Sequence, residues 1–580
     1  MGGRTTRTLC AAGGALTIAA AGTIAGPRSA GAAAPTYSIN KVGAYGGEPS
    51  LTAGPLTPTI GTPGELYEAS LQAAKAYRSS TQGTSWVGGA TNAYSNTGDD
   101  CLSTDQSGAL YLCNLTITGP QNSPLNGDVY KSVDQGDHWT HSTGVMFGTN
   151  TMCTLQSSSC NPFGVDRDWV DAWIPNTLPA AQQDTNHAEV ALMYHDFYGP
   201  SHIWVNISND GGANFGGAID VLSHLNPSAG AAGALALADT ACSTVPSNVK
   251  IAKGGPHQGR IYVAWIAADP SSFGTGCNLS QAQAFHNLFV AWSDDGGNTW
   301  TPQLAYDAGV FHDSSTPFVG FTIDNQGNPY FGFDVENPNY SPATCAVPNN
   351  PQTANCEYDM YVVWSKDGGP TWDGGGVTTP GETGAALTAL RVNTDTGTHF
   401  FPAIDALNPG QVAVAYLETS DIIPTDASGK QHPGGCFSTT GTCTSTDQWY
   451  LHGAVSSDLL NTNGSVNLAP HWDQTQITPS PMHQGDICNL GIACPPTANR
   501  HLADFIQTAI DPVTGCQHIA YADDKTTNEL DSANQTSGCL ATVAADTPEM
   551  PLVALGPAVA AAALVGWRLR RRRLGTDLTS

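Results

Sequence analysis

Positive charge is scarce in this sequence: 21 lysines and arginines stand against 49 aspartates and glutamates, a formal net charge of −28 at pH 7. Set aside Arg4, Arg7, Arg28, the five arginines between Arg568 and Arg573, and Asp577. The stretch from Pro35 to Glu549 then keeps 13 basic residues against 48 acidic ones. Such a surface repels phosphate backbones and anionic headgroups, which argues against a nucleic-acid partner. Its plain consequence is solubility. Also missing are a Cys-x-x-Cys pair and a His-Glu-x-x-His segment, so neither a metal nor another cofactor is expected. Long helical patterns are hard to find, which leaves an all-β reading.

The two ends set the compartment. Arg4 and Arg7 precede an Ala/Gly/Leu/Ile run that closes on Ala30-Gly31-Ala32-Ala33-Ala34, the order of a secretory signal peptide over residues 1–34. At the other end, Pro551 to Trp567 is uncharged and apolar, and Arg568 and Arg570 to Arg573 follow at once. That pattern predicts a short membrane span with a cytoplasmic basic flank, in a tail covering 547–580. It resembles the sorting tails of bacterial surface proteins, but it carries no LPxTG motif.

Cysteine usage agrees with export. Without Cys10 in the signal, 14 remain, and they fall into sequential neighbours. These are Cys101 with Cys113, Cys153 with Cys160, Cys242 with Cys277, Cys345 with Cys356, Cys436 with Cys443, Cys488 with Cys494, and Cys516 with Cys539. Local pairing is the simplest connectivity, although spacing alone leaves the alternatives open.

A repeat dominates the region 35–546 between the ends. Ser-x-Asp-x-Gly-x-x-aromatic occurs as Ser132-Val-Asp134-Gln-Gly136-Asp-His-Trp139 and Ser208-Asn-Asp210-Gly-Gly212-Ala-Asn-Phe215. It recurs as Ser293-Asp-Asp295-Gly-Gly297-Asn-Thr-Trp300 and Ser365-Lys-Asp367-Gly-Gly369-Pro-Thr-Trp372. A fifth copy, Ser79 to Trp86, has lost the aspartate, and a worn one begins at Ser456-Ser-Asp458. The chemistry is structural: Ser and Asp can bond turn amides, Gly permits positive φ, and the aromatic ring packs. Apolar, β-branched runs flank each copy and read as strands. The expectation is a β-propeller of four-stranded blades at about 46–86, 100–139, 165–215, 239–300, 313–372, 399–458 and 499–540. Seven blades are favoured, with six as the alternative.

These segments resemble the Asp boxes of sialidases and related BNR-repeat proteins. Gly47-Glu48-Pro49-Ser50, His483 to Cys494 and Arg500-His-Leu-Ala-Asp504 are similar to segments of secreted bacterial members of that group. The resemblance implies the propeller, with the boxes on the face away from any ligand. Sialidases also use an arginine triad, a Tyr–Glu pair and an aspartate. The arginine-bearing Phe/Tyr-Arg-Ile-Pro motif is absent here, and no Tyr–Glu pair can be assigned.

If each first strand descends along the axis, its start and the end of the second strand share the top face. His399 and Glu418 belong to this polar set. Arginine is rare between the two ends: Arg78 and Arg260 map towards the boxes, whereas Arg167, Arg391 and Arg500 map to first-strand starts. A guanidinium can clamp a carboxylate bidentately, or be held in a structural ion pair. The candidate ligand residues are Glu48, Asp166, Arg167, Asp168, Arg391, Arg500, His501 and Asp504, with no catalytic residue assigned. The favoured function is an exported, membrane-anchored propeller that binds an extracellular glycan or protein. An exo-α-sialidase or other glycoside hydrolase is the alternative, and a structural envelope protein is a third reading.

Overall fold

The structure is a computed structural model. It describes residues 34–541 except 71–74, 91–98, 118–124, 143–164, 197–201, 241–243, 268–284, 286, 309–317, 337–357, 373–388, 421–446, 486, 488–500 and 526–527. The expected signal peptide and tail therefore lie outside the described residues. Among the described residues no helix is long and apolar enough to cross a membrane.

The chain enters through β1 (Thr36–Ala44). Unit I follows as β2 (Ser50–Ala53), β3 (Leu66–Ala69), β4 (Tyr77–Ser79) and β5 (Val87–Gly88). Unit II is β6 (Asp100–Thr104), β7 (Leu110–Ile117), β8 (Leu125–Ser132) and β9 (Thr140–His141). Unit III is β10 (Val165–Trp173), β11 (Glu189–Asp196), β12 (Ile203–Ser208) and β13 (Ile219–Asp220), and the short helix α1 (Gly230–Asp239) comes next. Unit IV is β14 (Thr244–Ile251), β15 (Ile261–Ala267), β16 (Asn287–Ser293) and β17 (Thr301–Asp307). Unit V is β18 (Gly320–Ile323), β19 (Pro329–Glu336), β20 (Tyr358–Trp364) and β21 (Leu390–Arg391). Unit VI is β22 (Thr398–Ala406), β23 (Val412–Thr419), β24 (Gln448–Ser456) and β25 (Asp473–Gln476), with β26 (His483–Gln484) also on β24. Unit VII is β27 (Gln507–Ile510), β28 (Gln517–Asp523) and β29 (Glu529–Ser537).

Each unit is an antiparallel meander. Units V and VI join into one nine-stranded sheet through a single parallel bridge, Tyr358 to Thr398. The first strands β2, β6, β10, β14, β18, β22 and β27 touch in that order, and β27 touches β2, which closes the ring of a β-propeller. The fourth strand of unit VII is β1, paired antiparallel along β29. No strand was expected at Thr36–Ala44; closing the ring with the chain's own beginning hides the unsatisfied edge that β29 would otherwise present.

Both faces of a middle strand meet a neighbouring unit, so β15, β16 and β20 are buried along their whole length. That is why they read as continuous apolar runs instead of alternating ones. The core is correspondingly layered. Tyr262, Val290 and Phe331 pack between units IV and V, and Met360, Ile404 and Tyr416 pack between V and VI.

The Ser-x-Asp-x-Gly segments form one recurring turn between third and fourth strands. In unit IV, Ser293 Oγ accepts from Gly297 N at 2.9 Å and donates to Asp295 Oδ1 at 2.8 Å. Asp295 Oδ1 accepts from Thr299 N at 2.9 Å, and Trp300 Nε1 donates to Gly297 O at 3.0 Å. Gly136, Gly212, Gly297 and Gly369 all take positive φ there. In unit I the Thr81 hydroxyl stands where the aspartate would be and accepts from Ser85 N at 3.0 Å. The worn copy is interrupted, not lost. Where Asp134 meets the amide four residues on, Asp458 meets that of His471, thirteen residues on, and Trp472 follows as the aromatic.

Two disulfides lie among the described residues. Cys101–Cys113 joins directly opposed residues of β6 and β7, and Cys516–Cys539 ties the start of β28 to the chain just past β29. The other five expected pairs lie outside the described residues.

Candidate functional site

On the face where the first strands begin, the backbone leaves extended geometry just before the strand or within its first residues. Glu48, Arg167, Phe401 and Ala503 all adopt left-handed φ, between 49° and 56°, at the starts of units I, III, VI and VII. The β10–β11 register slips between Asp166 and Trp169, so the bulge re-aims the side chain at its centre. A non-glycine residue in this region costs about 1 kcal/mol or more and persists only where its surroundings hold it.

At Arg167 the surroundings are charge and aromatic rings. Its Nη2 donates to Glu48 Oε1 at 3.0 Å and to Asp504 Oδ2 at 2.7 Å, and Nη1 lies 3.4 Å from Asp99 Oδ2. The guanidinium carbon sits 4.0 Å from the centre of the Phe318 ring and 4.8 Å from that of Phe505. Starts of units I, II, III, V and VII thus meet at one arginine whose side chain is 5% exposed. Phe318, Phe505 and Trp169 also line an axial cavity of about 170 Å³, to which first strands of all seven units contribute. Burial pushes the Glu48 carboxyl well up; Arg167 opposes that rise, while Asp99 and Asp504 add to it. Burial opposes the charge on Arg167, yet its carboxylate neighbours hold the guanidinium firmly protonated.

The remaining candidates divide. Asp168 is buried beside Arg167, but neither carboxylate oxygen has a hydrogen-bond partner, and burial with Asp99 nearby raises its pKa well above the carboxylate range. Asp166 is partly exposed, accepts the Arg167 amide at 3.1 Å, and has the buried His195 ring 3.6 Å away. His501 is exposed and pairs with Asp524 Oδ1 at 2.6 Å, while His483 holds the other oxygen at 2.9 Å. Arg500 lies outside the described residues.

Arg391 requires a correction. It was expected at the start of a first strand, but it lies on β21, paired with the third strand β20 and away from the axis. Its Nη2 donates to Asp359 Oδ1 at 2.6 Å and to Asp395 O at 3.0 Å. The long connection after Trp372 concealed that unit V had not yet acquired its fourth strand. Arg78 and Arg260, by contrast, do bind turn segments, at Gln135 O and Gly368 O. Sequence reasoning missed Asp99, Phe318 and Phe505. Asp99 had a signal, the adjoining Asp100 at the very start of β6, whereas the phenylalanines looked like ordinary packing.

No family model matches the chain, and no curated protein does. Among solved structures it is similar to a polysaccharide lyase, the PL25 ulvan lyase, at 12% identity and TM-score 0.42, over 86% of this chain and 96% of that one. It is also similar to the leech intramolecular trans-sialidase at 10% identity and TM-score 0.32, over 82% of each chain. A sialidase from Trypanosoma rangeli matches at 11% identity and TM-score 0.32, over 86% of this chain and 59% of that one. At such distances the fold rests on the strand pairing, and the chemistry on the residues themselves.

Proposed function

We propose that this chain is an exported, membrane-tethered binding propeller whose upper face receives a neutral or cationic extracellular ligand, a glycan foremost. The reading rests on one observation. Arg167, at the start of β10, is already engaged by Glu48, Asp504 and Asp99 and enclosed by two rings. Both hydrogen bonds leave from Nη2 and Nη1 makes none, but at 5% exposure and ringed by three carboxylates the group is closed to a sialate carboxylate, which the surrounding acids also repel. Asp166 and His195 offer polar groups at the same rim, suited to sugar hydroxyls.

The test pairs an activity with a binding measurement. Purified protein is expected to leave a fluorogenic sialoside intact, and to bind neutral or amino-sugar glycans in preference to sialylated ones on an array. Asp166→Asn is expected to weaken that binding. Turnover of the sialoside above a heat-denatured control, or preference for anionic glycans, would overturn the reading in favour of the hydrolase.

A further inference from the structure

A second polar cluster lies at the seam where units V and VI share their one parallel bridge. His399, fully buried on β22, sits directly opposite Glu418 on β23. Asp395 reaches the same point from the connection between β21 and β22. The Asp395 Oδ1, His399 Nε2 and Glu418 Oε2 atoms all lie within 4.8 Å of one another. Asp395 Oδ1 is 3.3 Å from His399 Nε2, and Glu418 Oε2 is 3.7 Å from it. Two donors about 2.1 Å from one zinc ion at a tetrahedral angle stand roughly 3.4 Å apart, so the spacing already suits a shared cation.

The support around the cluster is of the kind metal ligands need. His399 Nδ1 donates to the Tyr358 carbonyl oxygen at 2.6 Å, which turns Nε2 towards the two carboxylates; Nε2 hydrogen-bonds Asp395 Oδ1 at 3.3 Å, and a bound ion would take the place of that proton. A backbone carbonyl on the distal ring nitrogen is the usual way to fix the tautomer of a ligating histidine. Asn393 Nδ2 donates to Asp395 Oδ1 at 3.3 Å and orients it. Glu418 Oε2 is buried and lacks a hydrogen-bond partner, although His452 Nδ1 lies 3.0 Å away. The nearby cation Arg391 is spent on Asp359. Asp395 is 42% exposed on its side chain, so water can reach the cluster from that side.

We propose that Asp395, His399 and Glu418 form a zinc-type divalent metal site with three protein ligands and a fourth position open to water. One nitrogen and two carboxylate oxygens suit zinc better than calcium, which prefers six to eight oxygens. The ion would staple unit V to unit VI, because Asp395 and the Tyr358 carbonyl belong to the V side of the seam. No residue spacing in the sequence announces it, since the ligands come from a connection and two adjacent strands.

The experiment uses the full chain, stripped with a chelator and titrated with zinc chloride by calorimetry, with metal content measured after desalting. One ion per chain is expected, along with a higher Tm in zinc. Asp395→Asn, at a part-exposed position, and Glu418→Gln should each lose more than the about 10–100-fold that outer-shell changes cost, and should lose the zinc-dependent rise in Tm. Cobalt in place of zinc should give the visible absorption of a low-coordinate site. No ion bound to the wild type would overturn the proposal. So would zinc affinity unchanged in Asp395→Asn when that variant melts as the metal-free wild type does, or a preference for calcium.

Discussion

Arg167 shows how one side chain can be indispensable without being available. Replacing it with methionine would leave Glu48, Asp504 and Asp99 facing one another in a water-poor site. Breaking a buried ion cluster by removing one partner costs about 3–5 kcal/mol. Arg167→Met should therefore lower the urea midpoint clearly, and Glu48→Gln in the same chain should restore part of the loss. A midpoint unchanged in Arg167→Met would mean that the arginine is free for a ligand. Glu189 makes a separate prediction from acid–base linkage. Burial alone, with Oε1 left without a partner, raises its pKa to about 7. A carboxyl raised in the folded state favours folding in its protonated form, so its contribution is whole below the ordinary glutamate pKa and is lost as pH rises through about 7. Glu189→Gln should then be more stable than the wild type at pH 8, by up to about 3 kcal/mol, with the advantage gone near pH 4. Denaturant melts at the two pH values decide it.

Among the elements, the Ser-x-Asp-x-Gly turn was the most legible, because everything it needs lies within eight residues. Asp295 collects the Thr299 amide, the Thr299 hydroxyl at 2.8 Å and the Ser293 hydroxyl. Burial works against its charge, but these bonds outweigh it and hold the carboxyl below the usual range. Asp295→Ala is expected to cost about 1–2 kcal/mol in thermal or chemical melts while leaving any ligand affinity intact. A loss of binding without a loss of stability would give the box a functional role instead. The insertion in unit VI marks the limit of such reading. Asp458 and His471-Trp472 belong to one turn, but only the fold brings them together, so the sixth unit appeared to stop at 458 and actually runs to Gln476.

At the scale of the molecule, closure and compartment govern behaviour. Because β1 is the outer strand of unit VII, deleting residues 35–44 should expose the β29 edge and yield oligomers or unfolded chain by size-exclusion chromatography. Peptide mapping without reduction should recover Cys101–Cys113 and Cys516–Cys539 as linked pairs. Replacing Cys516 and Cys539 by serine should cost about 2–4 kcal/mol, since the link closes a loop beside the ring's final unit. The proposed export and tethering have their own measurement: protein from the native membrane fraction should begin near Pro35 and require detergent. Freely soluble full-length chain that retains Met1 would refute it.

Local chemistry alone determined a good deal here: the all-β class, and the turn motif with the roles of its Ser, Asp and Gly. Each depends on residues a few positions apart, whose geometry the backbone dictates without help. The site was legible only as a list of polar strand starts. That Glu48, Asp99, Arg167, Phe318 and Asp504 converge, while Arg391 does not, follows from ring closure and from a bulge that turns Arg167 to φ 52°. A left-handed arginine has no signature in sequence, because the strain it carries is offset by partners up to 337 residues away. The same holds for Asp395, His399 and Glu418. Their spacing along the chain is irregular, and only strand register places their donor atoms within reach of a single ion.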